Sequence, residues 1–306
     1  MRTILRTPGA TVRAVTAVLL LGACATSGSG TASDGRIRVV VAENFWGSIV
    51  EQLAGPDADV TSVIANPDAD PHDYEPTAED ARTVASARYV VVNGIGYDAW
   101  AQKLLDANPE SGRTVLDVGE LLGLDAGANP HQWYSPAAVR RFVTRVSADL
   151  AKIDPDHRAA YDRRRVAYES TGLAEYNRLL AEINRRFGGS PIGATESIVA
   201  PWAAGAGLDL VTPESFIDAI AEGNEPTRSD KATVDEQIAD RKIRVLVYNS
   251  QNATPDVQRL VDAAKRARIP VTTVTETLVP EHATFQAWQV RELRDLLAAL
   301  SGWRPS

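Results

Sequence analysis

Two of the four histidines lie in short proline-flanked segments, Asp70-Pro71-His72-Asp73-Tyr74-Glu75-Pro76 and Asn129-Pro130-His131-Gln132-Trp133. An imidazole in such a segment offers a neutral nitrogen donor on a backbone whose freedom is reduced by proline. Two glutamates, Glu196 in Ala194-Thr195-Glu196-Ser197 and Glu276 in Thr275-Glu276-Thr277, follow β-branched runs directly. Two imidazoles and two carboxylates would neutralise a dication, with donor distances of about 2.0–2.2 Å. Cys24 is the only cysteine, so an internal disulfide and a multi-thiolate metal site are excluded. Any metal must therefore be held by nitrogen and oxygen.

These side chains need elements to place them. Residues 37–42, 60–64, 89–93 and 114–117 read as buried strands, separated by helical stretches at 45–54, 77–86 and 97–107. Strand-like runs return at 192–195, 209–212, 245–248 and 271–274, and an amphipathic helix closes the chain at 284–300. Such βα alternation predicts an α/β fold of two lobes, each a mainly parallel sheet flanked by helices. Between the halves, Ser135-Pro136 opens a helix to Ile153, and Asp154-Pro155 starts another that runs without proline to Phe187 before Gly188-Gly189. At about 1.5 Å per residue that second stretch spans on the order of 50 Å, a long rigid helix joining the lobes. In open parallel sheets ligands bind beyond the carboxyl ends of strands. His72, His131, Glu196 and Glu276 all occupy post-strand positions, two from each half, and are expected to converge across a cleft.

The N-terminus reads as a targeting segment. Arg2, Arg6 and Arg13 give a basic n-region without an acid, residues 12–21 form an apolar run, and Leu21-Gly22-Ala23-Cys24 closes it. This is a lipoprotein signal pattern: residues 1–23 are expected to be cleaved, Cys24 to carry lipid, and the Ser/Thr/Gly-rich residues 24–35 to act as a flexible tether. The expected divisions beyond it are an N-terminal metal-binding lobe at 36–137, a helical segment with the long linker at 138–189, and a C-terminal metal-binding lobe at 190–306. Loss of three arginines takes the net charge from −8 to −11, which does not suit nucleic acid and mildly favours cations.

The chain resembles the zinc/manganese solute receptors of ABC importers, whose two lobes are joined by one long helix. The resemblance rests on Asp70-Pro71-His72-Asp73-Tyr74-Glu75-Pro76, on Pro130-His131-Gln132-Trp133-Tyr134-Ser135-Pro136 and on Gly223-Asn224-Glu225-Pro226-Thr227, and it covers residues 37–300. It implies a receptor, not an enzyme, that captures one divalent ion, Zn²⁺ or Mn²⁺, and delivers it to an ABC permease. It also implies lipid anchoring on the extracytoplasmic face, and a monomer is expected. His72 and His131 match the family's first two ligands, and Glu196 the glutamate of manganese-type members, where zinc-type members carry histidine. Glu276 stands where most members have aspartate, and His282 is the alternative fourth donor. Residues 73–130 lack the histidine-rich loop common in zinc-type members.

Blander roles compete for several residues. Glu196 could cap the helix that follows it, Asp73 and Glu75 suit helix-start or supporting acids, and His157 a surface position. Trp133 is expected under His131, Trp100, Trp202 and Trp288 in core or lobe-interface positions, and Arg163-Arg164-Arg165 on a solvated helix face. A lipid-anchored metallohydrolase would need an open coordination position, and the chain has no His-Glu-x-x-His or Gly-x-Ser-x-Gly. An adhesin on the same scaffold is a further alternative that the resemblance brings.

Overall fold

The computed structural model describes residues 36–66 and 74–304. The first half folds as β1 (Ile37–Glu43), α1 (Asn44–Ala54), β2 (Ala58–Ile64), α2 (Ala78–Ser86), β3 (Tyr89–Val92), α3 (Ala99–Ala107), β4 (Thr114–Asp117) and α4 (Val118–Leu122). All its strand pairs are parallel, in the order β2-β1-β3-β4. Alternate residues of β1 serve two cores: Val39 and Val41 face the main one, Val40 and Ala42 a smaller one containing Trp100 and Leu105. That period of two, with both faces covered, makes the strands read as unbroken apolar runs.

The second half repeats the plan with β5 (Pro191–Ala194), α8 (Val199–Ala206), β6 (Asp209–Leu210), α9 (Glu214–Ala221), α10 (Arg228–Ala239), β7 (Leu246–Asn249), α11 (Pro255–Arg266), β8 (Val271–Val274) and α12 (Phe285–Gly302). Its parallel order, β6-β5-β7-β8, reproduces that of the first sheet. In both sheets the chain moves one way from the first strand and the other way afterwards, so the β1/β3 and β5/β7 boundaries are the switch points at which a crevice opens.

The connecting segment is α5 (Pro136–Ile153), a 3₁₀ turn (Pro155–His157), α6 (Arg158–Ala167), a π turn (Tyr168–Gly172) and α7 (Ala174–Phe187). Ser135 caps α5 by accepting from Ala138 N, with Pro136 at the first helical position. The proline-free run is thus helical to Phe187 but widened at one turn and interrupted at Leu173. Leu173 N donates to Tyr168 O at 2.8 Å, a five-residue step that keeps Tyr168, Leu173 and Tyr176 all buried. The segment braces both halves, α6 lying against α1 and α5, and α7 along α12. Arg164 does not lie on a solvated face. It turns inward to donate to Ala54 O at 2.5 Å and to pair with Asp57 at 2.7 Å, closing the C-terminus of α1.

Candidate metal centre

His131 follows β4 and α4 and is fully buried. Asn129 Oδ1 accepts from His131 N at 3.0 Å and lies 2.9 Å from Nδ1, while Asn129 Nδ2 donates to Ser197 O at 2.7 Å. A carboxamide oxygen can only accept, so Nδ1 carries the ring hydrogen and Nε2 keeps its lone pair for a ligand. The same asparagine joins the His131 loop to the loop bearing Glu196. Trp133 sits edge-on to the imidazole, with ring centroids 5.2 Å apart, and Tyr97 flanks it at 6.1 Å.

Glu196 lies two residues beyond β5 at the second switch point, and Glu276 two residues beyond β8. Both are buried. Asn249, the last residue of β7, donates through Nδ2 to Glu196 Oε2 at 3.0 Å and to Glu276 Oε1 at 3.1 Å. Asn252 adds a longer contact to Glu196 Oε2 at 3.4 Å. Glu276 Oε2 accepts from Tyr97 Oη at 2.7 Å, and its backbone N donates to Gln251 Oε1 at 2.6 Å. Burial first, and then the facing Glu276 carboxylate, push Glu196 well above the usual carboxylate range. Burial also raises Tyr97, so the phenol keeps the proton it donates. The backbone delivering that phenol is strained: Ile95 adopts φ 60° between Gly94 and Gly96, a region that costs a β-branched residue about 1–3 kcal/mol. Asp98 pins this turn by accepting from Asn93 N at 2.6 Å and Gly94 N at 2.9 Å.

Among the described residues, His131, Glu196 and Glu276 form a group whose donor atoms all lie within 4.8 Å of one another. A cavity of about 600 Å³ is lined by Tyr97, Asn129, His131 and Ser197 and, from α9, by Glu214 and Asp218, so it touches this group at the histidine. The sequence-expected His72 and Asp73 lie outside the described residues, as does Cys24. Exposed His282 is not part of the group, and Glu75 is exposed. His157 is exposed and bonds Asp154 at 2.6 Å. Glu196 does not cap α8, which has no side-chain cap. Trp202 and Trp288 pack edge-on to Tyr134 at 5.8 and 5.4 Å, in the main core.

Sequence reasoning missed the residues that orient the donors: Asn129, Tyr97, Asn249 and Gln251. The strand-end rule that singles out Glu196 and Glu276 also applies to Asn249-Ser250-Gln251-Asn252, which begins on the last residue of β7, and that amide-rich run is the available sign.

Two parallel-sheet lobes with a His/Glu/Glu group at their strand ends are the architecture of a two-lobed solute-binding protein. The chain belongs to the family described as zinc-uptake complex component A, periplasmic, whose model matches residues 39–299. It is 30% identical over 156 residues to the manganese-binding lipoprotein MntA of Halalkalibacterium halodurans, covering 49% of this chain and 51% of that one. It is 25% identical over 283 residues to the metal ABC transporter substrate-binding lipoprotein FimA of Streptococcus parasanguinis, covering 86% and 87%. The chain spans about half the length of several other named relatives it matches. In fold it is similar to the Cd-bound periplasmic metal binding protein of Candidatus Liberibacter asiaticus, with TM-score 0.71, 17% identity, and coverage of 87% of this chain and 99% of that one.

Proposed function

We propose that this chain is an extracytoplasmic receptor that captures one divalent transition-metal ion, Zn²⁺ or Mn²⁺, between its lobes and hands it to the permease of an ABC importer. His131, Glu196, Glu276 and His72 are its ligands, and Cys24 is its lipid anchor. The observation that carries this reading is the burial of two carboxylates that face one another beside a histidine whose Nε2 is kept deprotonated. Burying like charges this closely is costly unless a cation or a proton is present. An ion would displace protons from the carboxyls and cross-link loops from both lobes. The named relatives, a manganese-binding lipoprotein and a metal ABC transporter substrate-binding lipoprotein, support the same reading.

Metal-stripped protein should therefore melt higher with Zn²⁺ or Mn²⁺. At an ion concentration about 100 times the dissociation constant the gain is about 2.7 kcal/mol, or on the order of 5–10 °C for a domain of this size. His131→Ala should abolish most of it. An unchanged melting temperature with every divalent ion tested would overturn the receptor reading.

A further inference from the structure

Helix α1 is built into the first lobe by its apolar sides and meets the second lobe by a polar one. It packs on β1 and β2, with Phe45 stacked on Trp133 at 3.8 Å between ring centroids and Trp46 against Phe142 at 4.2 Å. Gly47 approaches β2 so closely that a Cβ there would collide with Ser62 Oγ. Asn44, Ser48 and Gln52 recur every four residues and so share one face of the helix. Each of them bonds residues 278–286 of the second lobe. Asn44 Oδ1 accepts from Leu278 N at 3.3 Å, and Ser48 Oγ accepts from Phe285 N at 2.9 Å. Gln52 and Gln286 exchange a reciprocal pair of amide hydrogen bonds at 3.1 and 2.6 Å. Within the first lobe, Asn44 Nδ2 donates to Ala65 O at 3.1 Å and Gln52 Nε2 to Ser48 O at 2.8 Å, which turns both side chains toward this seam.

The seam runs beside one of the clustered carboxylates. Leu278 follows Glu276 by two residues, so the Asn44 bond holds the backbone that carries this glutamate against the first lobe. Hydrogen bonds differ from apolar packing in what replaces them on opening. Water takes up the freed amides and hydroxyl, so each bond contributes a small net amount, whereas re-exposing an apolar face costs in proportion to its area. A short row of such bonds keeps two surfaces together and still lets them part. An ion held by His131 from one lobe and by Glu196 and Glu276 from the other leaves only when the lobes separate, and the row adds to the barrier for that step.

We propose that Asn44, Ser48 and Gln52 are positioning residues that form an interlobe clasp, holding the Glu276 segment against the first lobe and so setting how fast a captured ion is released. This rests on the receptor reading above. None of the three is among the ligands, so the clasp governs release and leaves the donor set unchanged.

The test is stopped-flow release of Zn²⁺ or Mn²⁺, whichever the protein takes up, from the loaded full-length protein into excess chromogenic chelator, where the rate no longer depends on chelator concentration. Loss of a clasp bond is expected to speed release about 2–10-fold. Ser48→Ala and Gln52→Ala should each do so. Gln286→Ala removes the same amide pair from the other side and decides the matter if Gln52→Ala does not fold. Charged pairs separate a clasp from mere packing. Gln52→Glu with Gln286→Glu should speed release although it adds negative charge to a cation-binding protein, and Gln52→Glu with Gln286→Lys should return it to the wild-type rate or below. Release at the wild-type rate from all these variants, or equal acceleration by the two charged pairs, would overturn the clasp and leave the receptor reading standing. Failure of the wild type to take up either ion would overturn the receptor reading and this proposal with it.

Discussion

Glu292 on α12 is buried and joins the loops that carry His131 and Glu276, and its protonation state can be read from hydrogen counting. Its Oε1 accepts from Thr275 N at 3.1 Å, and its Oε2 lies 2.7 Å from Tyr134 Oη. Tyr134 Oη also lies 2.8 Å from Thr275 O, which has no hydrogen to give. The phenol has one hydrogen, and burial together with Glu292 keeps it in place. If that hydrogen goes to Thr275 O, the short contact to Glu292 needs a proton on the carboxyl, which then donates to the phenol oxygen. A neutral Glu292 satisfies every atom of the set, and burial correspondingly pushes its pKa up to about 8. Because the folded value lies above the unfolded one, the stabilising proton is fully present below about pH 4.5 and is lost as pH rises through about 8. At about 1.4 kcal/mol per pH unit, the loss is on the order of 4–5 kcal/mol between those limits. Glu292→Gln mimics the neutral acid, giving an N–H to the phenol oxygen and a carbonyl to Thr275 N, and it does not titrate. Urea unfolding of metal-stripped wild type and Glu292→Gln across about pH 5 to 9 should show near-equal stability in acid and a widening advantage for the variant in base. Parallel pH profiles for the two proteins would refute a neutral Glu292.

Asn129→Ala removes both the acceptor that fixes the His131 tautomer and the tie to Ser197. Metal affinity should fall about 10–100-fold by competition titration, with the circular dichroism spectrum retained. Gly207 closes α8 at φ +69°, and a side chain there meets Asn184. Gly207→Ala should cost about 1–2 kcal/mol from the left-handed backbone alone and more from the contact, read as a lowered urea midpoint. Thr77 and Asp80 form a capping box at the exposed start of α2. Thr77→Ala should cost about 1 kcal/mol by the same measurement while leaving the ratio of Zn²⁺ to Mn²⁺ affinity unchanged.

The strands were legible because both faces of each sheet are covered, which leaves short β-branched runs bounded by polar turns. Residues 114–117 and 271–274 match β4 and β8 end to end, and 37–42 misses only the last residue of β1. Short helices such as α9 and α10 are not legible in the sequence, since eight to twelve residues give few repeats of a helical period and α10 buries only Val234 and Ile238. The linker was read as helical to its last residue, but the π turn was not. It follows from the need to bury Leu173 and Tyr176 against neighbours the local pattern does not name.

By itself the sequence determined the donor types, the cysteine-free chemistry and the rule that ligands gather beyond parallel strands, all of which depend on residues near one another in the chain. Tertiary structure alone decided which atoms meet. Tyr97 reaches Glu276 across 179 residues and Tyr134 reaches Glu292 across 158. Asn249 finds both glutamates only because β5, β7 and β8 lie side by side. Periodicity encodes which face of an element is buried. The tautomer of His131 and the meeting of Glu196 with Glu276 depend instead on partners brought by chain crossings, and no local pattern specifies those.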